Sequence, residues 1–129
     1  MNPVVHFEMP YEDAKRAAKF YESAFGWRTQ LLGEEMGNYL LVTTAESDAK
    51  PGAPAGAING GMFPKNPDSP KYPSVVIVVE GIRASMKKVN KAGGETLGEP
   101  MEIPGVGQYV SFLDTEGNRN SMLQPAAGM

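Results

Sequence analysis

The feature that most constrains this chain is a pattern that occurs twice at a fixed interval. Residues 6–26 and residues 74–94 each follow the order strand, helix, glycine stop, and both ends are displaced by 68 positions (74 − 6 and 94 − 26). Identity between the two segments is low, so the repeat is one of pattern. Self-similarity at a fixed period indicates duplicated supersecondary units. The alternative is an unrelated α+β domain that contains two helices.

The first copy of the pattern is defined by local signals. Period-two alternation over residues 3–9 predicts a strand with Val5, Phe7 and Met9 on the face toward the helix. Asp13 is the expected N-cap of the helix, because its carboxylate can accept from exposed backbone N–H groups. The helix is expected to reach about residue 25, where Gly26 provides a left-handed stop. Its apolar stripe at helical spacing is Ala17, Phe20, Tyr21 and Ala24.

The rest of the chain supplies the remaining strands and their connections. The segment 46–56 is rich in glycine and proline and is expected to be a loop, and residues 64–73 carry four prolines and form the expected linker. Module 1 is therefore predicted at about 3–63 and module 2 at about 74–125, with a second helix starting near Ile82. Further strands are expected at 27–32, 36–44, 57–63, 74–79, 96–99, 108–113 and 119–124.

Composition and charge exclude several classes of function. The 129 residues include no cysteine, which excludes disulfides, thiolate catalysis and cysteine-ligated zinc. The formal net charge is -3 and no basic block is present, so a nucleic-acid partner is not expected. The longest apolar run, residues 75–79, is too short to span a bilayer. No secretory signal pattern precedes residue 6, so a cytoplasmic protein without a membrane partner is expected.

Several motifs resemble those of one superfamily. VHFEMP at 5–10 followed by FYESAFGW at 20–27, INGGM at 58–62, IPGVG at 103–107 and DTEGN at 114–118 resemble the vicinal oxygen chelate proteins. This superfamily includes glyoxalases, bleomycin-resistance proteins and extradiol dioxygenases, and the resemblance covers about residues 4–125. It implies an α+β fold of two βαβββ modules that form an open, eight-stranded, barrel-like sheet with two helices outside. It also implies a ligand cavity and a homodimer.

The resemblance further implies four metal ligands, drawn from the first, fourth, fifth and eighth strands. His6 matches the first-strand ligand and is the one histidine of the chain. The fourth-strand position falls on Gly60-Gly61, the fifth on Ser74 and the eighth on Ser121. Since glycine offers no side chain and a serine hydroxyl is a weak neutral donor, no metal cofactor is expected, and a divalent metal is disfavoured.

Strand alternation indicates which side chains face the implied cavity. The expected ligand-pocket residues are His6, Glu8, Gly60, Ser74, Arg119 and Ser121. Glu8 either pairs with His6 or Arg119 to orient a ligand, or belongs to a structural ion pair or a solvated rim. The aromatic residues either stack on a planar ligand or pack in the core or rim: Trp27, Tyr39, Phe63, Tyr72 and Tyr109.

These observations favour a small-molecule-binding protein that lacks the family metal centre, with catalytic residues unassigned. One alternative is a lyase, isomerase or dioxygenase-like enzyme that acts on a small organic substrate, with Glu8 in an acid–base role. A second alternative is a non-catalytic interaction module with a filled cavity. The expected partners are a small-molecule ligand and a second copy of the chain.

Overall fold

The computed structural model describes residues 1–45 and 58–126, and the described part holds eight strands and two helices. The predicted loop at 46–56 and the first residue of the predicted strand 57–63 lie outside the described residues. The elements are β1 Val4–Tyr11, α1 Ala14–Phe25, β2 Arg28–Leu31, β3 Leu40–Thr43, β4 Asn59–Pro64, β5 Ser74–Val78, α2 Ile82–Lys91, β6 Glu95–Ile103, β7 Gly107–Leu113 and β8 Arg119–Pro125. Neither helix is long and apolar enough to cross a membrane, as far as residues 1–45 and 58–126 extend.

The α+β fold class is confirmed, with an eight-stranded mixed sheet and two βαβββ modules. The chain divides into a first unit, residues 6–73, and a second unit, residues 74–129 together with residues 1–5. Strand order in the first unit is β2-β3-β4-β1, and in the second it is β6-β7-β8-β5. In each unit the strand before the helix pairs in parallel with the last strand, while the other pairs are antiparallel. The exact module boundaries stay a prediction.

The first unit forms because its helix signals are local and its strand faces alternate. The Asp13 side chain accepts from the backbone N–H of Arg16 at 3.1 Å, and Gly26 ends the helix with φ 71°, so both predicted caps are confirmed. The core consists of Leu40, Val42 and Met62, with Phe7, Met9, Tyr11, Ala17, Ala18, Tyr21 and Trp27 packed against it. Val5, expected on this face, is exposed instead.

The predicted apolar stripe of α1 is wrong at two positions. Phe20 is 57% exposed and Ala24 is also exposed, whereas Ala18 packs against the core. The buried face of the helix is therefore rotated from the predicted stripe. The Phe20 ring instead packs edge-on against Tyr21 with a centroid distance of 5.0 Å. A stripe defined by hydrophobicity alone does not distinguish a core contact from an aromatic cluster at the surface.

The structure also corrects two predicted strands. The segment 36–44 becomes a strand only at Leu40, because a short 3-10 turn at Glu34–Met36 closes on Gly37, whose φ is 69°. Conversely, the short strand predicted at 96–99 continues to residue 103. Pairing of this strand shifts between Leu97 and Met101, around Gly98 with φ 87°. Gly98 therefore marks a β-bulge inside a longer strand.

The second unit repeats the arrangement with different caps. The first backbone N–H of α2, at Ile82, donates to Gln124 Oε1 of β8 at 2.8 Å, so a distant strand caps this helix. Ile77 and Val79 lie on the helix side. The core consists of Val79, Ile82, Val110, Phe112 and Met122, with Ile77, Met86 and Val89 packed against it.

Candidate functional site

β1 places His6 and Glu8 on the face opposite its core contacts. Phe7 and Met9 pack into the core of the first unit, so the alternating neighbours His6 and Glu8 point away from it. His6 is half-buried, and Glu8 is 9% exposed. Burying a carboxylate costs free energy unless hydrogen bonds compensate, so the contacts of Glu8 decide whether this arrangement is stable.

Tyr39 provides that compensation and joins the two side chains. The Tyr39 hydroxyl donates to Glu8 Oε2 at 2.8 Å, and the Tyr39 hydroxyl oxygen also lies 2.9 Å from His6 Nε2. The His6 and Tyr39 rings are nearly parallel, with an interplanar angle of 16° and centroids 6.4 Å apart. We call His6, Tyr39 and Glu8 the β1 cluster.

Gly61 makes the space that the Tyr39 ring occupies. Gly61 pairs with Glu8 in the parallel β1–β4 register, and a Cβ at Gly61 would lie 2.0–2.2 Å from atoms of the Tyr39 ring. A Cβ at Gly60 would instead meet Phe7, on the helix side, at 2.5–2.7 Å. Of the two glycines, Gly61 is therefore the one that shares a face with Glu8.

Hydrogen-bond accounting fixes where the protons of the β1 cluster lie. Tyr39 has one hydroxyl hydrogen, and the Glu8 carboxylate accepts it, so the Tyr39 oxygen accepts from His6 Nε2–H. This assigns the Nε2–H tautomer to His6. Burial lowers the pKa of His6 below 6.5, and the charge of Glu8 opposes this in part. The imidazole is therefore neutral at neutral pH.

The second unit gathers hydroxyl groups at the corresponding positions. Ser121 Oγ donates to Tyr109 Oη at 2.6 Å and lies 3.1 Å from Ser111 Oγ. Ser121 is 3% exposed and pairs with Val76 of β5. We call Tyr109, Ser111 and Ser121 the β8 cluster. It contains no ionisable carboxylate or imidazole.

The registers make the two clusters equivalent. Val76 lies 68 positions after Glu8 (76 − 8), and Glu8 pairs with Gly61 as Val76 pairs with Ser121. On the neighbouring antiparallel strands, Leu41 pairs with Gly61 and Ser111 pairs with Ser121. Tyr39 and Tyr109 each lie two residues before that partner. The equivalent pairs are His6 and Ser74, Glu8 and Val76, Gly61 and Ser121, and Tyr39 and Tyr109.

Each unit holds three of the six predicted pocket residues. The first unit brings His6 and Glu8 together and places Gly60 against Phe7. In the second unit Ser74 is buried at the start of β5, and Arg119 is half-buried two residues before the buried Ser121. Trp27 stacks on Tyr21 at 4.7 Å and packs against the core, as the alternative interpretation of the aromatics had it.

The sequence interpretation did not identify the roles of Tyr39 and Gly61. The sequence pattern gave Tyr39 a role in stacking on a ligand or in packing in the core or rim, but its hydroxyl is the centre of the β1 cluster. The available signal was the pair of tyrosines, each in the third strand region of its module, facing a small residue in the next strand. Gly61 and Ser121 are those small residues.

The donor set of these positions does not fit the family's metal centre. The first-strand position supplies one imidazole whose Nε2 is engaged by Tyr39, and the fourth-strand position supplies glycine. Ser74 and Ser121 supply neutral hydroxyls at the other two. Across residues 1–45 and 58–126, no three His, Cys, Asp or Glu side chains come together in a way that could hold a metal ion.

An open groove of about 370 Å³ lies elsewhere in the first unit, at the start of α1. Glu12 at its edge forms ion pairs with Arg16 at 3.7 Å and with Lys65 at 3.3 Å, all three exposed. Exposed pairs of this kind contribute about 0–1 kcal/mol each. No residue of the β1 cluster lines this groove. The groove has exposed charges, whereas the β1 cluster holds a buried carboxylate, so the β1 cluster is the candidate site.

Comparisons with known proteins agree with this architecture. A family profile described as bleomycin resistance protein-like N-terminal matches residues 4–45. A glyoxylase-like domain-containing protein from Didymella fabae is 31% identical over 119 residues, which covers 89% of this chain and 88% of that protein. A putative glyoxylase, CFP32, from Mycobacterium bovis is 29% identical over 111 residues, and the chain spans only 39% of its length.

Solved structures share the fold at lower identity. Methylmalonyl-CoA epimerase from Mycobacterium tuberculosis superposes with a TM-score of 0.67 at 13% identity, covering 95% of this chain and 87% of that one. A hypothetical protein from Bacillus halodurans gives a TM-score of 0.71 at 13% identity, with 99% and 97% covered. These likenesses support the fold alone, whereas the Didymella relative extends over nearly all of both chains. The chain therefore belongs to the glyoxalase/bleomycin-resistance (vicinal oxygen chelate) superfamily.

Proposed function

We propose that this chain is a small-molecule-binding protein of the glyoxalase/bleomycin-resistance type that works without the family metal centre. The observation that carries the proposal is the β1 cluster, in which Tyr39 joins a neutral imidazole to a buried carboxylate. A small number of polar groups held in fixed positions is typical of sites that orient a small ligand.

The energetics favour a binding role over a purely structural one. Val76, the equivalent of Glu8, is apolar and 2% exposed, so the fold accepts a hydrophobic residue at this register. Replacing a buried polar network by apolar residues of similar shape is often neutral or stabilising. A buried carboxylate kept at Glu8 is therefore better explained by ligand binding than by stability.

A panel of uncharged and charged aromatic compounds, added to EDTA-treated protein, tests the proposal by thermal shift. We expect at least one compound to raise the melting temperature of the wild type and to lose most of its effect in Glu8→Gln. Glu12→Gln is the matched control, because Glu12 is an exposed acid that follows the same strand. A panel with no stabilising compound, or equal binding by Glu8→Gln, contradicts the proposal.

A second candidate is a metal-independent acid–base enzyme, favoured by the short contacts on both sides of the Tyr39 hydroxyl. In that case Glu8 accepts a proton from the substrate and returns it. A turnover assay distinguishes the two, because an enzyme converts its substrate and loses that activity in Glu8→Gln, whereas a binding protein releases its ligand unchanged. Full activity of Glu8→Gln on any substrate found excludes this candidate.

We also propose, from the resemblance, that the chain forms a homodimer, and from the sequence, that it resides in the cytoplasm. Sedimentation equilibrium at micromolar concentration tests the first proposal, with twice the 13.9 kDa chain mass expected. Cell fractionation tests the second. A monomer across the concentration range, or recovery outside the cytoplasmic fraction, contradicts the respective proposal.

A further inference from the structure

We propose that the Tyr39 hydroxyl, by bonding to both His6 and Glu8, keeps a cation away from these two donors, so the first unit carries a phenol-centred site and not a metal site. The Tyr39 oxygen lies 2.9 Å from His6 Nε2 and 2.8 Å from Glu8 Oε2. A divalent metal needs direct bonds of about 2.0–2.2 Å to its ligand atoms. While the hydroxyl is bonded to both side chains, His6 Nε2 carries a proton and this Glu8 oxygen accepts one, so neither atom is open to a cation.

The position of Tyr39 is built into the fold. Gly61 leaves the space for the ring, since any Cβ there would come within 2.2 Å of ring carbon or hydroxyl atoms. The backbone on both sides is also fixed: Leu32 N–H donates to Tyr39 O at 2.8 Å, and Tyr11 Oη donates to Asn38 O at 2.6 Å. The glycine at the fourth-strand position is therefore more than a lost ligand, because it admits the hydroxyl that engages His6 and Glu8.

The tautomer of His6 tests the hydrogen bonding without any ligand. The chain has one histidine, so its imidazole signals in a long-range ¹H–¹⁵N spectrum need no further assignment. We expect the Nε2–H tautomer in the wild type, a changed tautomer ratio in Tyr39→Phe, and no change in Tyr109→Phe, the equivalent tyrosine of the second unit. A wild-type Nδ1–H tautomer, or a Tyr39→Phe spectrum identical to wild type, overturns the proposal.

Zinc titration followed on the same imidazole signals tests the displacement of the metal. We expect Tyr39→Ala, which empties the position between imidazole and carboxylate, to bind Zn²⁺ at least about tenfold more tightly than wild type, a difference of about 1.4 kcal/mol. Tyr109→Ala should bind as the wild type does. Equal affinity of wild type and Tyr39→Ala overturns the proposal, and Tyr39→Phe in the preceding experiment covers the case in which Tyr39→Ala does not fold.

Discussion

The two units share one strand register but differ in the chemistry placed on it. In the first unit Tyr39 contacts an imidazole and a carboxylate, and in the second Tyr109 contacts a serine hydroxyl. The position of Glu8 corresponds to Val76, which is apolar and buried. The duplicated fold thus supplies equivalent positions, and the residues there decide whether a unit carries a polar site or a neutral, hydrogen-bonded filling.

The largest expected difference in stability between the two units concerns the small residues that contact the two tyrosines, Gly61 and Ser121. Gly61→Ala forces a Cβ into the Tyr39 ring, because the backbone around Tyr39 is anchored, and should lower the free energy of unfolding by about 3 kcal/mol. Ser121→Ala, at the equivalent position, removes only hydroxyl contacts and should cost about 1 kcal/mol. Urea unfolding of both variants measures the difference, and equal losses would break the comparison between the units.

Much of the fold followed from local signals that tertiary contacts do not override. The Asp13 cap and the Gly26 stop depend on backbone geometry within a few residues, so the sequence predicted both. The strand faces of Phe7 and Met9 followed from alternation. The extent of β6 did not, because its bulge at Gly98 depends on pairing with β7.

For the candidate site, the sequence predicted His6 and Glu8 but not Tyr39, because the position of Tyr39 depends on tertiary contacts. Alternation placed His6 and Glu8 on one face of β1, and this needed no knowledge of other strands. The role of Tyr39 depends on its contact with Glu8, which is 31 positions away in the chain, and on the space that Gly61 leaves for its ring. Both follow from strand register, which a single sequence specifies poorly when turn geometry is unknown. The prediction of a strand starting at residue 36 missed the 3-10 turn that sets where Tyr39 lies.

A smaller difference in stability between the two units is expected when each tyrosine loses only its hydroxyl. Tyr39→Phe removes a donor to a buried carboxylate, which should cost about 2 kcal/mol, since hydrogen bonds to charged groups contribute more than neutral ones. Tyr109→Phe removes an acceptor from Ser121, which retains Ser111 as a neighbour, and should cost about 1 kcal/mol. Calorimetry of the two variants sharpens the comparison. A larger loss for Tyr109→Phe would indicate that the second unit holds the more constrained cluster.

The smallest expected effect on stability concerns the turn that joins β7 and β8. Most of its counterpart between β3 and β4, residues 46–57, lies outside the described residues. Asp114 accepts from the side chain and backbone N–H of Asn118 and from the backbone N–H of Glu116, and these bonds lower its pKa below 3.8. Because the folded-state pKa is the lower one, this stabilisation is present above the unfolded value of 3.8 and is lost as pH falls through the folded value.

Asp114→Asn should therefore melt below the wild type at pH 7, and the two melting curves should approach each other as the pH is lowered from 4 toward 2. Glu116→Gln is the control, since Glu116 is an exposed acid of the same turn. A gap between wild type and Asp114→Asn that stays constant over this range would mean that the carboxylate charge does not stabilise the turn. The β7–β8 connection would then be held by backbone geometry, with Gly117 at φ 83° as its main determinant.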